Sequence, residues 1–141
     1  MAMPPHLCLP DAAAYLAYWE WLCERPLRVH DGTEVLIYPN QFKHAFYAKS
    51  SRAPNAKKDR FDLERARRMD WIAAVLGDRT LPSYKRTDSP KEVSRIFLNE
   101  GESYAVIIRP TAADQTKALF ITAYVIDRPE VVRAMKSNPL W

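Results

Sequence analysis

The chain has 141 residues, 48% of them hydrophobic and 27% charged, a balance that excludes a disordered or fibrous chain and suits one globular domain with a core of its own. Lys and Arg number 21 against 17 Asp and Glu, a net charge of +4, which leans toward a polyanionic partner. Only three glycines stand against eleven prolines, and neither GxGxxG nor GxxxxGK[ST] occurs, so no Gly-rich phosphate loop is expected.

Residues 1–10 read as a proline-bounded extended arm. Asp11 is a good N-cap for a helix in which Tyr15, Leu16, Trp19, Leu22 and Cys23 recur at helical spacing until Pro26, the pattern of a core helix. Its apolar run is broken by Glu20, well short of a membrane span, and no basic n-region precedes it. Neither a membrane anchor nor a signal peptide is expected. Cys8 and Cys23 lack CxxC spacing and neighbouring ligands, and His6, His30 and Cys8 match no usual metal site, so no disulfide, metal or other cofactor is expected and a cytoplasmic setting fits.

Asp31-Gly32 marks a turn before a strand at 34-EVLIY-38. The next segment, 41-QFKHAFYA-48, reads as extended, with Phe42, His44 and Phe46 on one face. Residues 49–59 (KSSRAPNAKKD) read as a mobile basic loop. Between Lys43 and Arg68 the cations are Lys43, Lys49, Arg52, Lys57, Lys58, Arg60, Arg65, Arg67 and Arg68, against only Asp59, Asp62 and Glu64. The excess positive charge is therefore concentrated here, as a solvated face or a nucleic-acid-binding surface. Asp59 or Asp62 caps a second helix whose Ala66, Met69, Ile72, Ala73 and Leu76 face inward, with Gly77 as its stop. Arginines early in a helix oppose its dipole, so helix stability does not explain Arg65 and Arg68.

The remainder reads as β-structure. A short strand at 83-SYKR-86 is followed by a capping-box turn at Ser89, Pro90 and Glu92, then a strand at 94–99. The turn 99-NEGE-102 leads to a strand at 103–109, and a loop at 110–116 to a strand at 117–126. Within 118-ALFITAY-124 the only polar side chains, Thr122 and Tyr124, fall on one face by the period of two. Asp127, Pro129 and Glu130 start a short helix that runs through Met135. The expected fold is a single α+β domain over 1–141: N-terminal helices on one face of a single antiparallel sheet of about four to five strands, with a short C-terminal helix.

The segments 44-HAF-46, 60-RFDLERARRMDWI-72 and 120-FITAY-124, in this order, resemble the phage- and prophage-associated nucleases of the barnase, EndoU, colicin and RelE-like (BECR) group. The similarity spans Val35 to Asp127. It implies a metal-independent ribonuclease acting as a toxin or phage-encoded effector, with RNA as partner and an antitoxin or immunity protein as a second one. It also implies a helical layer on an antiparallel sheet whose open face holds the cutting side chains. Carried over by position, the histidine is His44, the helix arginine Arg65, and the hydroxyl and aromatic pair Thr122 and Tyr124. The cationic partner of the phosphate is Lys49, Arg52 or Arg60, and Lys57, Lys58 and Arg68 extend the nucleic-acid-binding surface.

The residues support the same chemistry on their own account. Cleavage of RNA through its 2′-hydroxyl needs a base, an acid for the leaving 5′-oxygen, and donors for the extra charge on the phosphorane. His44 is suited to either proton transfer near neutral pH. Arg65 offers a bidentate fork, Thr122 a hydroxyl to orient the phosphate, and Tyr124 a proton, a hydrogen bond or a stacking surface. Two other classes fit the composition: a nucleic-acid-binding module without turnover, and a protein-interaction domain using the aromatic helix from Tyr15 to Leu22.

Overall fold

The computed structural model describes residues 2–49, 51, 53–111 and 116–141. Helix α1 (Ala12–Cys23) starts as expected, with the Asp11 carboxylate accepting from the Ala14 amide at 2.9 Å, and buries Tyr15 and Trp19 one turn apart. Strand β1 (Glu34–Leu36) leads through a 3-10 turn at Pro39–Gln41 into helix α2 (Phe42–Phe46), then strands β2 (Tyr47–Lys49) and β3 (Lys58–Phe61). Helices α3 (Leu63–Ala66) and α4 (Trp71–Gly77) precede four strands: β4 (Ser83–Ser89), β5 (Glu92–Asn99), β6 (Tyr104–Pro110) and β7 (Lys117–Val125). Helix α5 (Pro129–Lys136) follows, and the tail returns to the β4 edge, where Leu140 bridges Tyr84. No described helix is long and apolar enough to cross a membrane.

The main sheet has five strands in the order β1-β7-β6-β5-β4, while β2 and β3 form a separate two-stranded ribbon. The meander from β4 to β7 is antiparallel throughout, as expected, and β1 joins parallel to the first residues of β7. On one face Trp19, Phe46, Met69, Ile72 and Leu76 pack with Phe97, Val106, Ile108 and Phe120 in the larger core. On the other, Tyr84, Ile96, Leu98, Ala105 and Ile107 pack with Met135 of α5. The helices thus occupy both faces, because Val131, Val132 and Met135 give α5 an apolar stripe of its own.

Three local expectations are corrected. The segment 41–48 is not extended: Phe42, Ala45 and Phe46 are buried at helical spacing, and the preceding turn is fixed by the Gln41 carbonyl oxygen of the side chain accepting from the Tyr38 amide at 2.9 Å. The second helix is broken. Asp62 caps α3, accepting from the Arg65 amide at 3.2 Å, but Asp70 is drawn to the Tyr18 hydroxyl at 2.6 Å and the Trp71 indole donates to the Pro4 carbonyl at 2.7 Å. These ties outweigh local propensity, so 67–70 become turns and Ala73 ends exposed. Ser89-Pro90 is a hairpin turn between β4 and β5 and starts no helix. The 99–102 turn is as expected, with the Asn99 side chain accepting from the Glu102 amide at 3.1 Å. The expected basic loop at 49–59 proves to be bounded by the paired strands β2 and β3, and part of the 110–116 loop lies outside the described residues.

One tertiary tie crosses from the sheet to the turn before β1. Arg95 is buried, lies 4.6 Å from the Phe97 ring and 5.1 Å from the Trp141 ring, and pairs with Asp31 at 2.8 Å. Burial alone would raise the Asp31 carboxyl, but hydrogen bonds from the Thr33 amide and hydroxyl and from Arg95 hold it at about 2 against an ordinary 3.8. A depressed carboxylate stabilises the fold above its unfolded value and loses that contribution as pH falls through its folded one. Between pH 4 and 2, urea denaturation should show wild type losing about 1 kcal/mol more than Asp31→Asn, the shift being discounted for a part-exposed carboxylate. Equal losses in the two proteins would contradict this.

Candidate nucleic-acid cleavage site

Strand β1 pairs only with Lys117, Ala118 and Leu119 of β7, so the rest of that strand's outer edge must be satisfied otherwise. Gln41 begins the solution: its side-chain nitrogen donates to the Phe120 carbonyl at 2.5 Å. Phe42, Ala45 and Phe46 then turn inward, which leaves Lys43 and His44 on the outer side of α2.

Two cations converge on the C-terminal end of α2. The Lys58 ammonium donates to the His44 carbonyl at 2.7 Å, and the Arg65 guanidinium reaches the Ala45 carbonyl at 3.5 Å. Both contacts satisfy carbonyls at the negative end of a helix. Arg65 is held from behind by Asp62 at 3.3 Å, and its guanidinium carbon lies 5.7 Å from the centre of the Tyr124 ring. Arg65 therefore lies between the C-terminal end of α2 and Tyr124. Lys49 stands directly opposite Lys58 on the β2–β3 ribbon, a like-charge pair that destabilises a two-stranded ladder.

Thr122 and Tyr124 share a face, as the sequence requires. Thr122 lies opposite Ile107 and Tyr124 opposite Ala105, whose side chains belong to the smaller core. A bulge at Ile121 shifts the register between Phe120 and Thr122, so both polar residues lie on the face away from α1. Neither the Thr122 nor the Tyr124 hydroxyl has a hydrogen-bonding partner among the described residues.

The environments of the two titrating groups push them apart. Partial burial lowers the His44 imidazole below its ordinary 6.5, and the charges of Lys58 and Arg65 lower it further. Burial raises the Tyr124 phenol, and Arg86 and then Arg65 only partly offset that. Lys58 is lowered by burial and by the charges of Arg65 and Lys49. At neutral pH His44 is thus a neutral base and Tyr124 a protonated phenol. The donors around His44 are cations, a setting that disfavours a divalent metal, and no group of three or more His, Cys, Asp or Glu suited to a metal occurs among the described residues.

The other expected contacts divide. Lys57 and Arg60 are exposed on the ribbon, with Arg60 opposite Ala48, whereas Arg52 lies outside the described residues. Arg68 is engaged elsewhere: it donates to the Glu64 carbonyl at 2.6 Å and carboxylate at 3.0 Å and lies 5.1 Å from the Trp71 ring. Its charge acts on His6 and Tyr104, and the ones acting on His44 are Lys58 and Arg65. Glu64, one turn earlier, thus answers Arg68, one of the two arginines that local helix electrostatics left unexplained. Lys58 is more central than its place in a basic run suggested, and Arg86 was not expected at all. The alternation of Tyr84 and Arg86 along β4 was the available signal.

Clefts of about 630 and 650 Å³ lie beside α5 and at the far end of β5 and β6, and neither is lined by His44 or Tyr124. His44 is exposed and Tyr124 half-buried, with Arg65 acting on both, and this surface shelf suits a polymer better than a small ligand. The chain matches no family model, no curated protein and no solved structure, so the reading of this shelf rests on its own geometry.

The His44 imidazole should titrate by NMR with a midpoint below 6.5, and Lys58→Met should raise that midpoint by removing the larger of the two charge repulsions on it. A midpoint above 6.5, or one indifferent to the substitution, would remove the cationic site.

Proposed function

We propose that this protein is a metal-independent endoribonuclease that cleaves through the 2′-hydroxyl, with the outer edge of β7 and the half-buried Tyr124 beside it as its site. The observation that carries the reading is the convergence of Lys58 and Arg65 beside His44, with Arg65 reaching on to Tyr124. Lys49 opposes Lys58, and the carboxylate paired with this cluster is Asp62, behind Arg65. An anion on the shelf would relieve that imbalance.

Each role follows from the state of the group. Neutral His44 takes the proton of the 2′-hydroxyl as that oxygen attacks phosphorus. The P–O5′ bond breaks, and Tyr124 donates its proton to the departing oxygen, leaving a 2′,3′-cyclic phosphate. Solvent then resets both groups. The opposed pKa shifts favour His44 as base and Tyr124 as acid, a choice that the residue types alone leave open. Lys58 and Arg65 bear the charge gathering on the phosphorane, and Thr122 orients it. DNA, which lacks the nucleophile, is bound but not cut.

With this reading goes the likeness to the BECR group, and with it the role of a toxin or phage-encoded effector. An antitoxin or immunity protein would act by covering the shelf. The basic ribbon equally suits a binding module without turnover, which predicts salt-sensitive RNA binding and no products.

Purified protein should cleave RNA in excess EDTA and leave DNA intact. His44→Ala and Tyr124→Phe should each lower the rate by about a hundredfold or more while the protein remains folded by circular dichroism. Cleavage that stops on chelation, or wild-type rates in both variants, would overturn the assignment.

A further inference from the structure

Arg86 enters none of the roles above, yet its surroundings are those of a built anion seat. By register, Tyr124 lies opposite Ala105 and Thr122 opposite Ile107, Ile107 opposite Ile96, and Ile96 opposite Tyr84. Arg86 is two residues beyond Tyr84 on β4 and opposite Ser94, so it rises from the same sheet face as Thr122 and Tyr124. The Arg86 Nε donates to Asp88 at 2.7 Å, and no other hydrogen bond engages its guanidinium among the described residues. Among the described residues, both terminal nitrogens of the fork are therefore without a partner. The side chain is 40% exposed, and its charge, with that of Arg65, is one of the two that act on the Tyr124 phenol.

The support behind Arg86 is itself fixed. The other Asp88 oxygen accepts from the hydroxyl of fully buried Ser94 and from Arg109 at 3.3 Å, and Arg109 also meets Glu92 at 3.6 Å. The pairs balance in charge, so what this network supplies is orientation: it aims an arginine fork across the sheet without competing for its outer face. Arg65 comes over the outer edge of β7, whereas β4 lies three strand spacings away, about 14 Å by ordinary sheet geometry. By register Arg86 and Tyr124 also stand on opposite sides of the Tyr84–Thr122 row, and two arginines set this far apart are better matched to successive phosphates than to one.

We propose that Arg86 seats the phosphate next to the scissile one, so that the substrate is single-stranded RNA laid across the strands from the β2–β3 ribbon toward β4. The inference rests on the proposed ribonuclease activity and adds to it a minimum substrate: one nucleotide linkage beyond the one that is cut. A duplex cannot lie on the shelf with its 2′-hydroxyl turned to His44 and its phosphates turned to Arg65 and Arg86 together.

Two experiments test this. Oligonucleotides with a single ribonucleotide have only one cleavable linkage, so rU-dA carries one phosphate, and dA-rU-dA and rU-dA-dA each add one neighbour. Wild type should cleave one of the longer two with a kcat/KM at least about tenfold above rU-dA, expressed in KM, and Arg86→Gln should abolish that advantage, lowering kcat/KM on the longer substrate at least about fivefold more than on rU-dA. Arg86→Lys, which keeps the charge and loses the fork, should fall between. Equal loss on all three substrates would instead put Arg86 at the scissile phosphate or in the fold, and unchanged preference would remove it from the site; either overturns the proposal. The second readout needs no turnover: binding of a 2′-O-methyl RNA octamer as a function of salt should lose about one unit of log–log slope in Arg86→Gln and none in Arg86→Lys. If nothing is cleaved but this slope changes as stated, the ribonuclease reading fails and the phosphate seat stands; an unchanged slope overturns the seat whatever the activity.

Discussion

The outer edge of β7 is the constraint on which the rest of the site depends. Because β1 covers only the first three residues of that strand, the exposed carbonyls and amides beyond them need other partners. The Gln41 side chain takes the Phe120 carbonyl, Phe42 and Phe46 fill the core behind it, and α2 comes to rest against the strand. The carbonyls at the end of α2 then draw in Lys58 and Arg65. A backbone problem at a sheet edge thus gathers an ammonium and a guanidinium at the end of the helix that carries His44, with the guanidinium 5.7 Å from the Tyr124 ring on the adjoining face.

Structural use and chemical use are not exclusive here, and the energetics separate them. Capping two helical carbonyls needs little charge, and surface ion pairs contribute on the order of 1 kcal/mol at most. That does not explain why Lys49 faces Lys58 or why Lys58 and Arg65 are placed where both depress His44. Structural arginines in the same segment look different: Arg67 and Arg68 share Glu64 at 2.9 and 3.0 Å and are spent on it. Arg65 has Asp62 behind it and an open side toward Tyr124. The contrast marks which cations of the basic run are available to a ligand.

Much of this was legible from residue order. The α+β class, the meander from β4 to β7, the Asp11 cap and the common face of Thr122 and Tyr124 all follow from period, caps and turns. What pattern reasoning misread were segments decided by tertiary partners. Around His44 the residues Phe42 and Phe46 satisfy a period of two as well as a helical i, i+4 spacing, and only the edge of β7 decides between them. The break between α3 and α4 comes from Tyr18 and Pro4, distant in sequence. Arg86 and Lys58 could not be weighed from charge runs, since their importance lies in which face the register gives them and what they oppose.

The central claim is that neutral His44, kept so by partial burial and by the charges of Lys58 and Arg65, is the base of a phosphodiester cleavage. The most direct measurement is the pH dependence of kcat/KM for a substrate with a single ribonucleotide, in EDTA, for wild type and Lys58→Met. The account predicts an acid limb below 6.5 in wild type that moves to higher pH in the variant, since the rate follows the neutral imidazole. An acid limb at the same pH in both proteins, or cleavage that survives His44→Ala with that limb intact, would contradict it.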